Sequence, residues 1–148
     1  MHKTSTILNG QLASVVTTLR YGEAIVIADA GLPVPPSTPS LELGLVPGVP
    51  STLDVASALR DNLVLLEVRI AREMAEVNSR LRRGILDLFE GTDLVKEVAH
   101  MDGIEAVLAS ARLVIQTGEV SPYGNVVLLG GLDFFDISMA GGESRRGR

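Results

Sequence analysis

A short aliphatic run at residues 25–28 stops abruptly in an acid, two small residues and a proline-bounded loop, reading IVIADAGLPVP over residues 25–35. No other stretch of the chain narrows the choice of fold as far. An unbroken apolar run bounded by turn residues has no face to give to water, so it predicts a strand covered on both sides. Asp29 falls where that strand ends. In α/β sheets the crevice beyond the carboxyl ends of the strands is where ligands bind, and Ala30 and Gly31 let a ligand come close to the backbone. An Asp that merely caps a turn explains this stretch equally well.

The segments around it alternate in period. Asn9 can cap a first helix in which Leu12, Val15, Val16 and Leu19 recur at helical spacing, and Tyr21-Gly22 breaks it before the strand begins near Glu23. Residues 29–40 form a loop rich in Pro, Gly, Ser and Thr, and residues 41–46 read as a short strand ending at Pro47-Gly48. Ser51 or Thr52 caps a helix running through Leu59. Residues 63–71 are the longest strand candidate, with Glu67 and Arg69 on one partly wet face. Asn78 or Ser79 caps an amphipathic helix to Phe89, stopped by Gly91. A strand at 94–99, a helix at 102–110 and strands at 113–116 and 126–129 follow. Strands alternating with helices predict a three-layer α/β domain. From Asp136 the chain is small and polar and ends in GGESRRGR, the composition of a disordered tail.

At 148 residues the chain makes one domain with a real core. Hydrophobic residues reach 46%, yet there are only 3 Phe, 2 Tyr and no Trp, so the core must be aliphatic. That much aliphatic surface points to burial between subunits. A net charge of −5 with no basic cluster before the last residues argues against a nucleic-acid partner. Without cysteine there is no disulfide, thiol nucleophile or Cys-based metal site. No signal-peptide core or membrane-length apolar run occurs, so no membrane partner and a cytoplasmic location are expected.

No phosphate loop, GxGxxG or GxSxG is present, which leaves nucleotide binding and the hydrolase elbow without support. Two histidines, His2 and His100, do not make a zinc site, and no metal is expected. His2 reads as solvated. His100 follows a strand candidate, as Asp29 does, and a surface imidazole explains it as simply. The second unusual stretch is GEVSPYGN, residues 118–125. Tyr123 and Asn125 offer donors and acceptors in fixed directions without net charge. That inventory suits a polyol better than a phosphate, although an ordinary turn would look the same.

Ile7-Leu8-Asn9, IVIADAGLPVP, Pro47-Gly48-Val49-Pro50 and TGEVSPYGNVVLLGG (residues 117–131), in that order, resemble the RbsD/FucU family, whose members are D-ribose pyranase and L-fucose mutarotase. The Gly-Leu-Pro after Asp29-Ala30 places the chain nearer the ribose branch. The resemblance implies an RbsD-like mixed sheet flanked by helices over residues 1–135, with 136–148 as the tail. It also implies a homo-oligomeric ring, an octamer or decamer, with a monosaccharide site between neighbouring subunits, and no cofactor. Asp29, His100, Tyr123, Gly124 and Asn125 would bind the sugar, although the spacing from His100 to the Ser-Pro-Tyr turn differs by about a residue from the family's.

One departure bears on the chemistry. The family's catalytic acid is a histidine in a Gly-His pair just before the first strand, and this chain has Arg20-Tyr21 there. Exchanging ring forms takes one proton to the ring oxygen and one from the anomeric hydroxyl. A histidine handles both near neutrality, whereas a phenol of ordinary pKa ~10 donates but scarcely accepts. Three possibilities stay open: Tyr21 is tuned by Arg20 and its neighbours, His100 takes over, or the activity is altered or lost. The expectation is an isomerase acting at the anomeric centre of a free monosaccharide, with Tyr21 and His100 as catalytic residues. The rivals are a non-catalytic sugar-binding or regulatory ring, and an enzyme of other acid/base chemistry on a glycoside or keto-sugar.

Overall fold

The structure, a computed structural model, describes residues 6–132; His2 and the tail expected from Asp136 lie outside them. Asn9 caps α1 (Gly10–Thr18), its Oδ1 accepting the Leu12 N–H at 2.9 Å. Gly22 takes φ +76° in the turn that follows, and β1 (Ala24–Ala28) is buried along its whole length. Both faces of that strand are therefore covered, as its unbroken aliphatic sequence requires.

The chain continues through β2 (Ser40–Glu42), α2 (Thr52–Arg60), β3 (Leu65–Ala71), α3 (Met74–Val77), α4 (Ser79–Leu88), β4 (Val95–Val98) and α5 (His100–Gly103). A 3-10 helix (Glu105–Ser110), β5 (Leu113–Gln116) and β6 (Val126–Gly130) complete it. A capping box between Ser51 and Asp54 opens α2. No helix among the described residues is long and apolar enough to cross a membrane.

The six strands form one mixed sheet in the order β2-β5-β1-β6-β3-β4. β2, β5 and β1 are mutually parallel, β6 is antiparallel to β1 and to β3, and β4 is parallel to β3. Only β6 is reversed, so the other five strands end at one edge and β6 starts there. That topology gathers Asp29, Glu73, His100, Glu119 and Asn125 at a single edge. On the sheet, Ile25, Ile27, Val114, Ile115, Val127 and Leu128 pack into one core with Leu59, Ile85 and Ile104, all fully buried. Each such side chain contributes about 1.5–3 kcal/mol of transfer free energy, which keeps the edge residues on a rigid base.

Three expectations need correction. The strand expected at 41–46 is only Ser40–Glu42, because its partner β5 ends at Gln116 and Gly44 passes against the Thr117 carbonyl. Beyond it, Val46 and Val49 form an isolated bridge. The strand expected from Leu63 starts at Leu65, with a register shift against β6 between Leu65 and Glu67; Glu67 and Arg69 do share a face and pair at 2.9 Å. The helix expected at 102–110 is two pieces. It starts early because the Glu73 carboxylate accepts the His100 N–H, and α5 lies so close to β4 that a Cβ on Gly103 would stand 2.2 Å from Val98 Cγ2. Helix α3 had no periodic signal, since a single turn is too short to show one.

Candidate functional site

Four of the residues singled out in the sequence meet at the carboxyl edge. Asp29, His100, Tyr123 and Asn125, with Gly31, Leu32 and Pro33, line an open pocket of about 210 Å³. Asp29 arrives from the end of β1 and His100 from the start of α5, one residue beyond Ala99 after β4. Tyr123 and Asn125 come from the loop between β5 and β6. The Asp29 N–H donates to Asn125 Oδ1 at 2.7 Å, and Asp29 Oδ1 accepts the Gly31 N–H at 2.9 Å. This Asx turn leaves Oδ2 without a donor among the described residues. The Tyr123 hydroxyl is likewise unpartnered there, while its ring meets the His100 ring edge-on at 5.2 Å and 73°.

The amide of Asn125 assigns the imidazole. A backbone N–H can only donate, so the atom facing Asp29 N–H is Oδ1 and the NH₂ points the other way. Asn125 Nδ2 lies 3.2 Å from His100 Nε2. An NH₂ group can only donate, so Nε2 accepts and the neutral ring carries its proton on Nδ1. Nδ1 in turn faces Glu105 Oε1 at 3.5 Å. The His100 backbone is pinned as well, its N–H lying 3.1 and 3.3 Å from the two oxygens of Glu73.

The loop bearing Tyr123 is held from behind. Tyr123 has φ +53°, a left-handed conformation that costs a non-glycine residue about 1–2 kcal/mol. Three groups offset it. The Thr52 hydroxyl donates to the Gly124 carbonyl at 2.6 Å, Glu119 accepts from Thr52 N–H and the Ser121 hydroxyl, and Asn78 Nδ2 donates to Ser121 Oγ and the Pro122 carbonyl. Sequence reading missed Thr52, Asn78, Glu105 and Glu119 as supporting residues. Only Glu119 carried a signal, as a charged residue inside an otherwise uncharged turn.

Two expected site residues are elsewhere. Gly124 is buried behind Tyr123 with its carbonyl turned to Thr52, and a Cβ on it would stand 2.7 Å from Glu119 Cγ; it packs the loop and does not line the pocket. Tyr21 is 58% exposed at the opposite end of β1, on the order of 20 Å from Asp29 at ~3.3 Å per strand residue. Its turn is nonetheless fixed. Glu23 accepts the Arg20 N–H at 2.7 Å and pairs with Arg112 at 2.8 Å, and Arg112 reaches Thr18. The Arg20 N–H chiefly, and then the Arg112 guanidinium, hold the Glu23 carboxyl below its ordinary value.

Fold and pocket define a class: α/β proteins with a six-stranded mixed sheet and a small polar pocket where its parallel strands end. Within that class this chain belongs to the RbsD / FucU transport protein family, which it matches over residues 1–133. It is 34% identical to a D-ribose pyranase of Chloroflexus aggregans and 36% identical to one of Symbiobacterium thermophilum, each alignment spanning 89% of this chain and 99% of the relative. The structure of Bacillus subtilis RbsD complexed with D-ribose superposes with a TM-score of 0.84 at 34% identity, over 90% of this chain and all of that one. The fucose mutarotase of Streptococcus pneumoniae, solved with L-fucose, shares the fold with a TM-score of 0.73 at 18% identity, over 90% of this chain and 99% of that one.

Proposed function

We propose that this chain is a cofactor-independent sugar isomerase that exchanges the ring forms of a free monosaccharide, with D-ribose as the first candidate. The observation that carries this reading is the pocket of Asp29, His100, Tyr123 and Asn125. It presents one carboxylate oxygen, one phenol, one carboxamide and one imidazole to a small hydroxyl-rich ligand. The D-ribose pyranases at 34–36% identity support the choice of sugar and reaction.

The chemistry asks for little more. A base takes the proton of the anomeric hydroxyl, the bond from the anomeric carbon to the ring oxygen breaks, and an acid protonates that oxygen. The open-chain aldehyde then recloses through a different hydroxyl. His100 Nε2, unprotonated and in contact with the Asn125 amide, is the group to take the first proton once a sugar hydroxyl displaces that amide. Asp29 Oδ2 and the Asn125 amide orient the sugar hydroxyls. Tyr21 supplies the other proton from a neighbouring subunit, since β1 separates it from the pocket of its own chain. Exposed aliphatic side chains support an assembly of that kind: Leu45, Val46 and Val120 line a cavity of about 320 Å³ beside Asp29, and each is more than half exposed.

A second reading has its own observation. Within one chain the pocket holds one imidazole beside a carboxylate and a phenol, while Tyr21 lies exposed beyond the far end of β1, so a ring that binds sugar without exchanging it fits as well. Saturation-transfer NMR with D-ribose and L-fucose separates the two. Transfer between ring forms that scales with protein concentration is the expected result. Binding without transfer supports the second reading and removes the first.

A further inference from the structure

Glu105 has no part in the pocket lining, yet among the described residues its carboxylate is the one that pairs with a ring nitrogen of His100. It opens the 3-10 helix with its side chain 41% exposed, and its Oε1 lies 3.5 Å from Nδ1 of a ring whose own side chain is only 12% exposed. At that separation the contact is electrostatic and not a formed hydrogen bond. A partly exposed Glu at a helix start needs no such neighbour, because solvent and the helix N-terminus already satisfy it.

The other end of the ring is occupied by a donor. Asn125 Nδ2 faces Nε2, and Asn125 cannot turn over without setting its NH₂ against the Asp29 N–H. A ring with the proton on Nε2 would face Asn125 donor to donor and present a bare Nδ1 to the Glu105 carboxylate. With the proton on Nδ1, both contacts are favourable. Neither Asp29 nor Tyr123 hydrogen-bonds a ring nitrogen of His100 among the described residues: Asp29 Oδ1 accepts from Gly31, and Tyr123 makes a T-shaped ring contact.

We propose that Glu105 is a positioning residue for His100, acting with Asn125 to hold the imidazole proton on Nδ1 and keep Nε2 unprotonated, so that a sugar hydroxyl which displaces the Asn125 amide meets a basic nitrogen. This inference rests on the proposed role of His100 in proton transfer. Its physical basis is general: an outer partner on one imidazole nitrogen sets the tautomer and so the basicity and direction of the other. The helix break at Ile104 contributes to the arrangement, since a continuous helix from His100 would carry Glu105 around the axis with its own turn.

The protein has only two histidines, which makes the tautomer directly readable. Selectively ¹⁵N-histidine-labelled protein is examined by magic-angle-spinning NMR, with the His2→Gln variant used for assignment. Wild type should show His100 protonated at Nδ1. Glu105→Leu, a change at a partly exposed side chain, should give a mixture of tautomers. It should also slow D-ribose exchange roughly tenfold while D-ribose affinity stays within about twofold. Glu105→Gln keeps an acceptor facing Nδ1 and should retain the tautomer and most of the rate. A wild-type ring protonated at Nε2, or a Glu105→Leu variant with unchanged tautomer or unchanged exchange rate, would overturn the inference. If His100→Ala exchanges ribose at the wild-type rate, the proton-transfer reading beneath it fails instead, and the tautomer change in Glu105→Leu tells that failure apart.

Discussion

Asp29 divides its oxygens between two tasks. Oδ1 closes the turn onto Gly31 while Oδ2 stays available to a ligand. Asp29→Asn can keep the turn with its carbonyl oxygen and loses only the charge on the free side. Its fold should survive, and D-ribose affinity should fall by the worth of a charge-assisted hydrogen bond, about 1.5–3 kcal/mol. Calorimetry that finds the affinity unchanged would reduce Asp29 to a turn residue. At Tyr21 the test is one atom: Tyr21→Phe should abolish ring-form exchange and spare binding, because general acid assistance is worth roughly a hundred- to ten-thousand-fold. Asp29, His100, Tyr123 and Asn125 were each legible as a polar residue near the end of a recognisable strand, and the family resemblance joined them into one group. Their mutual distances were not legible, and neither was the separation of Tyr21 from them. A residue at the start of a strand and one at its end look adjacent in sequence and are held far apart by the strand between them.

The loop of residues 118–125 is an element whose shape comes from outside itself. Asn78, buried between α3 and α4, donates both to Ser121 Oγ and to the Pro122 carbonyl. Asn78→Ala should cost about 1–3 kcal/mol in chemical denaturation, the range for buried polar groups left without a donor, and should weaken D-ribose binding through Tyr123. Equal stability with full affinity would show that the loop holds its own conformation. The turn that presents Tyr21 depends on Glu23, whose carboxyl is held below its ordinary value by the Arg20 N–H and then by Arg112. The sign follows from linkage: a group with a depressed folded value adds stability above its unfolded value, and that contribution is lost as pH falls through the folded one. Glu23→Gln should therefore be less stable than wild type at neutral pH, and the two should converge as acid is added below pH ~4. A difference that persists into acid would assign the effect to packing. Elements with capping residues and clean periodicity, α1, β1 and α2, matched their sequence signals. Those that failed, β2 and the 102–110 helix, are governed by partners distant in sequence: the end of β5, the Glu73 carboxylate and the close approach of Gly103 to Val98.

At the scale of the whole molecule, one chain does not bring the two proposed proton-transfer residues together. The pocket lies at the carboxyl edge of the sheet and Tyr21 at the other, while Leu45, Val46, Val49 and Val120 present aliphatic surface to solvent beside the pocket. Assembly into a ring of eight or ten subunits, as the family resemblance implies, would bury that surface and bring the two edges of different chains together. Light scattering should find such an oligomer at micromolar concentration, and a monomer would remove the shared site. The most direct test mixes two dead proteins. Tyr21→Phe and His100→Ala chains are co-expressed so that they assemble at random, and D-ribose exchange is followed by saturation-transfer NMR. If each site takes His100 from one subunit and Tyr21 from the next, about a quarter of the sites are intact and the mixture should recover about a quarter of wild-type exchange. If the two variants are each inactive and their mixture is inactive too, no site draws those residues from different chains, and the shared proton-transfer site proposed for this protein is contradicted.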